Sequence, residues 1–288
     1  MDTKAKIDLT NPDHRCSPSH EFECGSCYTT KQLIQIGTAY NKYAGLDKIN
    51  IKAKSSSSDE CAYKTYLLEQ LIAYLGAVQK KWLGHPSVQF LTKGEKDELF
   101  NYTFRFEGPA NDTTWLTNHD IDRVMKQYMK KYPNFLFVGA IPSDSWKKNI
   151  CGVKDINFKT LQKKGINYVG IVFNIDPSYK QGSHWVAVFI DFSGKVYFFD
   201  SVGEEPIPPI KNYIARVVMG MVNELGLDLD KIDCRYNHIR NQFGSTECGV
   251  YSMSFILRLL KGMPFDVIIN NPVDDKRMRK CRIMYFTG

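Results

Sequence analysis

The sequence predicts an α+β fold. Two kinds of pattern alternate along its 288 residues. Four segments repeat apolar residues at helical spacing, and four short runs are rich in β-branched and aromatic residues. The first helix is expected between Tyr63 and Trp82, where Leu67, Leu68, Leu71, Ile72, Leu75 and Val78 share a face; His85–Pro86 stops it. A second starts at Thr117 or Asn118, either able to cap it, carries Ile121, Val124, Met125, Tyr128 and Met129, and stops at Pro133. The period then changes. Asn167–Ile175, Trp185–Phe192 and Lys195–Asp200 read as strands, the last two joined by a tight Ser193–Gly194 hairpin. Pro206, Pro208 and Pro209 break the chain ahead of a helix with Ile210, Ile214, Val217, Val218, Met221, Val222 and Leu225 on one face. Ile232–Tyr236 is a short strand, and a final helix runs from about Cys248 to Leu260, stopped by Gly262 and Pro264. The first 60 residues read as irregular, with a flexible loop at Ser55–Ser58, and residues 87–112 give few signals. Gly108–Pro109 marks a boundary. Residues 1–110 form an N-terminal arm, irregular then helical, and residues 111–288 a second domain.

Composition is that of an ordinary globular chain, 43% apolar and 24% charged. This excludes collagen-like and disordered classes. The net charge of +7 is spread along the chain. It permits nucleic acid as a partner without supporting one, and Lys276–Lys280 reads as a solvated basic face. No apolar run reaches the roughly 18–20 residues that span a bilayer, and the polar Met1–Thr10 segment has no signal-peptide core, so the chain is expected on the cytosolic side of membranes. Eight cysteines are too few for a disulfide scaffold and are expected to be thiols, ligands or catalysts. Cys24-Gly25-Ser26-Cys27, near Cys16, His14 and His20, has zinc-ligand types but lacks a second ligand pair, so unbound thiols are the expectation and no metal is assigned. Cys61, Cys151, Cys234 and Cys281 read as packing or surface thiols.

Three segments carry chemistry: Gly182-Ser183-His184-Trp185, Tyr197-Phe198-Phe199-Asp200-Ser201 and Asn241-Gln242-Phe243-Gly244-Ser245-Thr246-Glu247-Cys248-Gly249. A thiol nucleophile needs a base, a group that orients the base, and donors for the oxyanion. Cys248 falls at a helix start, where free N–H groups and the dipole favour a thiolate. Gly249 would let the backbone turn beside it. His184 opens one hairpin strand and Asp200 closes the other, so the two become neighbours. Gln242, six residues before Cys248, would donate to the oxyanion together with the Cys248 N–H. Each residue alone has a bland structural reading. The ordered set of four is hard to obtain by chance, and a non-catalytic adaptor would have no need of it.

This order, His…Asp…Gln…Cys, resembles the superfamily of Ulp1-type SUMO proteases and adenovirus proteases; papain-type enzymes run Cys…His…Asn. Trp115-Leu116-Thr117-Asn118-His119-Asp120-Ile121 is similar to the segment that opens the SUMO-protease catalytic domain, and Val172-Phe173-Asn174-Ile175-Asp176 to its Pro-Ile-Asn strand. Ser183-His184-Trp185-Val186-Ala187-Val188-Phe189 and Asn237-His238-Ile239-Arg240-Asn241-Gln242…Thr246-Glu247-Cys248-Gly249 resemble the polyprotein-processing proteases of African swine fever virus and giant DNA viruses. The likeness covers roughly residues 113 to 260. It implies a SUMO-protease/adenain-like fold, a mixed sheet flanked by helices, with a mostly helical arm before it. It further implies Cys248 as nucleophile, His184 as base, Asp200 as orienter and Gln242 as oxyanion donor. Trp115 and Trp185 would close over a substrate's Gly-Gly end. No metal or organic cofactor is implied. The expected substrate is a viral capsid or core polyprotein, cut during virion maturation at assembly sites in host cytoplasm and in the virion. The alternative is isopeptidase action on a ubiquitin-like protein conjugate. Where SUMO proteases carry an acidic residue this chain has Asn118, which weakens a grip on SUMO itself.

Overall fold

The computed structural model describes residues 15–45, 48–51, 59–110 and 113–287. The Met1–Thr10 segment, His14 and the Ser55–Ser58 run lie outside them. The chain divides into two compact units, with the division between Glu107 and Gly108.

The first unit holds helices α1 (Thr30–Ala44), α2 (Glu60–Leu75) and α3 (Lys93–Tyr102). Two of these were not expected. Helix α1 lies in the stretch read as irregular. Its signal is a capping box, Thr29 with Gln32, in front of a stripe whose Leu33, Ile36 and Ala39 are buried. Helix α3 also begins with a capping box, Thr92 with Glu95, and has only Leu99 buried, so its apolar periodicity is faint. Helix α2 is shorter than its apolar pattern. Gly76 ends it, Val78 is exposed, and the chain continues as a 3-10 turn, Gln79–Gly84. Trp82 packs in the core of this unit, stacked at 5.7 Å on Tyr28, with Leu67, Leu71 and Leu99 around them.

The cysteines of this unit depart from expectation. Cys16 pairs with Cys27 and Cys24 with Cys61, their Cα atoms 5.3 and 5.6 Å apart. The Cys24–Cys27 motif is therefore two halves of different disulfides rather than free thiols, and Cys61 is a bridge rather than a packing thiol. Residues 11 and 37 apart in sequence gave no local sign of these pairings. His20 hydrogen-bonds the Gln32 amide at 3.2 Å.

The second unit is a mixed sheet between helices. Among the described residues its strands are β1 (Phe135–Pro142), β2 (Tyr168–Asn174), β3 (Trp185–Asp191), β4 (Lys195–Phe199) and β5 (Asp233–Tyr236), in spatial order β1-β2-β3-β4-β5. The outer pairings are parallel and the inner ones antiparallel. Strand β1 is absent from the expectations. Its apolar run, broken by Gly139, sits just past the Pro133 helix stop. Its helices are α4 (Asn118–Lys131), the short α5 (Ser145–Lys148) and α6 (Phe158–Lys163), α7 (Pro208–Leu225), α8 (Cys248–Leu260), and the short α9 (Phe265–Asn270) and α10 (Asp275–Lys280). Thr117, not Asn118, caps α4, exchanging bonds with Asp120 in a box geometry.

Period-two alternation sorts the two cores. Trp185, Ala187 and Phe189 of β3 face α4 and α8, while Val186, Val188 and Ile190 face α7. Because β3 is covered on both sides, it reads as one unbroken apolar run. Among the described residues no helix is long and apolar enough to cross a membrane.

Candidate active site

The residues singled out from sequence meet where β3, β4 and α8 end or begin. Strands β2 and β3 pair with Asn174 opposite Trp185, and the Ile175 N–H donates to the His184 carbonyl at 3.0 Å, so the sheet fixes the His184 backbone. Asp200 is the first residue past β4. Its N–H donates to Asn237 Oδ1 at 2.8 Å, and Asn237 Nδ2 donates back to its carbonyl at 2.7 Å. The fully buried Asn237 thus holds the Asp200 peptide from both sides.

His184 Nε2 and Asp200 Oδ1 lie 2.6 Å apart, and the same carboxylate oxygen accepts from Val202 N–H at 2.9 Å. Cys248 also interacts with the imidazole. Burial alone would discharge the imidazole. Hydrogen bonds to Asp200 and to Cys248, together with their charges, outweigh it and push the His184 pKa up to about 9. The imidazole beside Cys248 is therefore cationic at neutral pH, the kind of neighbour that favours a thiolate nucleophile.

Cys248 is 2% exposed and is the first residue of α8. The first N–H groups of a helix have no intrahelical acceptor. The residue before it, Glu247, does not cap them with its side chain. Its carboxylate is turned away to Arg282, which donates from Nε at 2.8 Å and from Nη2 at 3.2 Å. Arg282 is fully buried and also donates to the carbonyls of Thr114 at 2.7 Å and Thr246 at 3.0 Å. Gly249 does not make the expected tight turn; it is helical. A Cβ there would come within 3.2 Å of Leu116 Cβ and 3.3 Å of Ile121 Cδ1, so glycine lets the Trp115 segment and α4 approach the nucleophile's helix closely.

Gln242 is 2% exposed. Ser201 Oγ donates to its Oε1 at 2.6 Å, and its Nε2 donates to the Gly244 carbonyl at 2.8 Å. The Gly244 carbonyl, which can only accept, thus fixes which end of the amide carries hydrogens, and the serine hydroxyl donates to the other end. One N–H is held by Gly244 and the second remains to serve an oxyanion. The Trp185 indole N–H donates to Leu116 O at 2.9 Å. Trp185 is buried and anchors the segment on which Trp115 stands 42% exposed.

Ser201, Asn237, Glu247 and Arg282 were not assigned roles from sequence. The first three lie within the motifs and could have been found there. Arg282 lies beyond the last helix read and has no local signal. Among the described residues no cluster of three or more His, Cys, Asp or Glu side chains is arranged to hold a metal ion. Arg277, Arg279 and Lys280 of the basic run are exposed, although Arg279 Nε stands 3.6 Å from Glu247.

A buried thiol at a helix start, a charged imidazole and an aligned amide define a thiol-dependent acyl hydrolase. Residues 113–286 match the model of the Ulp1 protease family, C-terminal catalytic domain, and the chain belongs to that family of cysteine proteases. It is 36% identical to a putative thiol protease of Acanthamoeba polyphaga mimivirus, over 94% of this chain and 92% of that one. A protein of African swine fever virus named SUMO-1 cysteine protease is 29% identical over 70% of this chain and 80% of its own length. The crystal structure of an African swine fever virus protease superposes with a TM-score of 0.63 at 23% identity, covering 95% of each chain. The fold is thus the α+β fold of that protease.

Proposed function

We propose that this chain is an endopeptidase of a large DNA virus that cuts capsid or core polyprotein precursors after Gly-Gly-like pairs during virion maturation. Cys248 Sγ attacks the scissile carbonyl, Gln242 Nε2 and the Cys248 N–H hold the oxyanion, and His184 gives its proton to the leaving amine. His184 then activates the water that releases the acyl group, with Asp200 keeping the ring oriented. The observation that carries the reading is the His184 environment: Nε2 lies 2.6 Å from Asp200 Oδ1, and Cys248, at the first residue of α8, interacts with the same imidazole, which the two partners keep protonated. Trp115, exposed beside the anchored Trp185, supplies the surface that would favour residues without side chains. A viral role is supported by the mimivirus relative, whose likeness runs through the arm as well as residues 113–286. Host-cell assembly sites and the virion are the corresponding location.

The name of the swine fever relative favours a second reading, release of a ubiquitin-like protein from conjugates. Cleavage of a fluorogenic Gly-Gly-Xaa peptide and of a SUMO–fluorophore fusion, compared between wild type and Cys248→Ala, separates the two. Peptide cleavage by wild type alone supports polyprotein processing. Cleavage of the fusion alone moves the function to deconjugation, and activity surviving in Cys248→Ala overturns both.

A further inference from the structure

We infer that Asp275, on a segment outside every motif of the site, is a positioning residue that sets the aim of the Gln242 amide; the inference rests on Cys248 being the nucleophile and Gln242 the oxyanion donor. Asp275 Oδ2 accepts from two consecutive backbone N–H groups, Phe243 at 2.9 Å and Gly244 at 2.7 Å. A carboxylate bridging two amides makes charge-assisted bonds, roughly twice as strong as neutral ones. The peptide it fixes is the one whose next carbonyl, Gly244 O, receives Gln242 Nε2. Its other oxygen, Oδ1, lies 3.2 Å from the Tyr251 hydroxyl on α8, which also reaches Asn241 O at 3.2 Å and Val273 O at 2.6 Å. Asn241 Oδ1 in turn accepts from Val273 N–H at 3.2 Å.

These contacts tie the loop before the nucleophile to the first turn of α10 and to the nucleophile's own helix. The loop is anchored ahead of Phe243, where the Asn241 and Gln242 N–H groups donate to Ser201 O at 2.8 Å and Arg240 Nε donates to Gln242 O at 2.8 Å; at Phe243, which is 75% exposed, and Gly244, Asp275 holds both backbone N–H groups. Ser201 fixes the carbonyl end of the Gln242 amide, and Gly244 fixes one of its two N–H bonds. Without Asp275, the Phe243 and Gly244 N–H groups lose the acceptor that fixes the Gly244 peptide, and with it the set of the carbonyl that aims the Gln242 amide. Oxyanion stabilisation falls steeply with donor displacement because the donor must sit where charge develops.

The test compares two reactions of the same sulfur. Acylation of Cys248 by p-nitrophenyl acetate builds an oxyanion, whereas alkylation by iodoacetamide, followed on the Cys248 peptide by mass spectrometry, does not. In Asp275→Ala the acylation rate should fall about 10- to 100-fold, short of the roughly 10²–10³ of losing a donor outright. Its alkylation rate and melting temperature should stay close to wild type. Asp275→Asn keeps an acceptor for both N–H groups and a donor for Tyr251, and should restore most of the acylation rate. Unchanged acylation in Asp275→Ala overturns the inference. So does a parallel loss of both reactions that Asp275→Asn fails to restore, which would make the aspartate merely structural. A nitrophenol burst that persists in Cys248→Ala overturns the underlying assignment and the inference with it, while a Cys248-dependent burst unaffected by Asp275 overturns the inference alone.

Discussion

Arg282→Met should be among the most destabilising single changes in the second unit. The guanidinium and the Glu247 carboxylate are 0% and 1% exposed, and their attraction offsets a large desolvation cost. Removing the cation strands the carboxylate beside Cys248. It keeps the Thr246 hydroxyl at 3.0 Å and Arg279 at 3.6 Å, but Arg279 is half exposed and its charge is partly screened. The carbonyls of Thr114 and Thr246 lose donors as well. Breaking one side of such a pair costs about 3–5 kcal/mol. At about 2 kcal/mol per molar urea, that moves the unfolding midpoint down by roughly 2 M. Urea titration followed by tryptophan fluorescence measures it, since Trp115, Trp146 and Trp185 all lie in this unit. The double variant Glu247→Met/Arg282→Met removes both charges and should recover most of the loss, because the stranded carboxylate is the dominant cost. A single variant within about 1 kcal/mol of wild type, well below the range for a broken buried pair, would refute the reasoning. So would a double variant less stable than either single one.

Folded His184 keeps its proton to about pH 9, against 6.5 for an ordinary histidine, so its contribution to stability is complete below 6.5 and is lost as pH rises through 9. Peptidase kcat/KM should fall over the same alkaline range as the proton owed to the leaving amine is lost, and Asp200→Asn, which removes the supporting charge, should bring that limb down toward 6.5 in a pH–rate profile. Gln242→Ala should lower kcat about 10²–10³-fold, with KM little changed, in steady-state assays. Trp115→Ala, at an exposed position, should raise KM for a Gly-Gly peptide while leaving iodoacetamide alkylation of Cys248 at its wild-type rate. Reduction with dithiothreitol should destabilise the first unit by about 3 kcal/mol for the shorter disulfide loop and about 4 for the longer, less in combination because the loops overlap; comparing melts of Cys16→Ser/Cys27→Ser and Cys24→Ser/Cys61→Ser measures each.

Some of this was legible because the signal was local. The Thr117–Asp120 box and its apolar stripe specify α4, and the Cys248–Leu260 pattern specifies α8 at the residues observed. Hairpin pairing brought His184 to Asp200, although the connection is a three-residue loop, Phe192–Gly194, with Asp191 opposite Lys195, rather than the expected two-residue Ser193–Gly194 turn. Helices α1 and α3 were missed although both carry capping boxes, since the apolar stripe of α3 is nearly empty and α1 stands in polar surroundings. Strand β1 was missed because Gly139 interrupts its run, and its partner β2 begins 26 residues beyond its own end.

The sequence by itself determined the α+β class, the order of the elements around the site and the four residues that meet there, since short-range periodicity and motif spacing encode them. The tertiary structure alone decided how those residues are held. The two disulfides, the Asn237 clamp on Asp200, the Asp275 bridge to Phe243 and Gly244, and the buried Arg282–Glu247 pair join residues 11 to 37 positions apart. Such pairings depend on where the backbone folds back on itself, and a charged or polar side chain shows no sign of its partner until burial makes that partner obligatory.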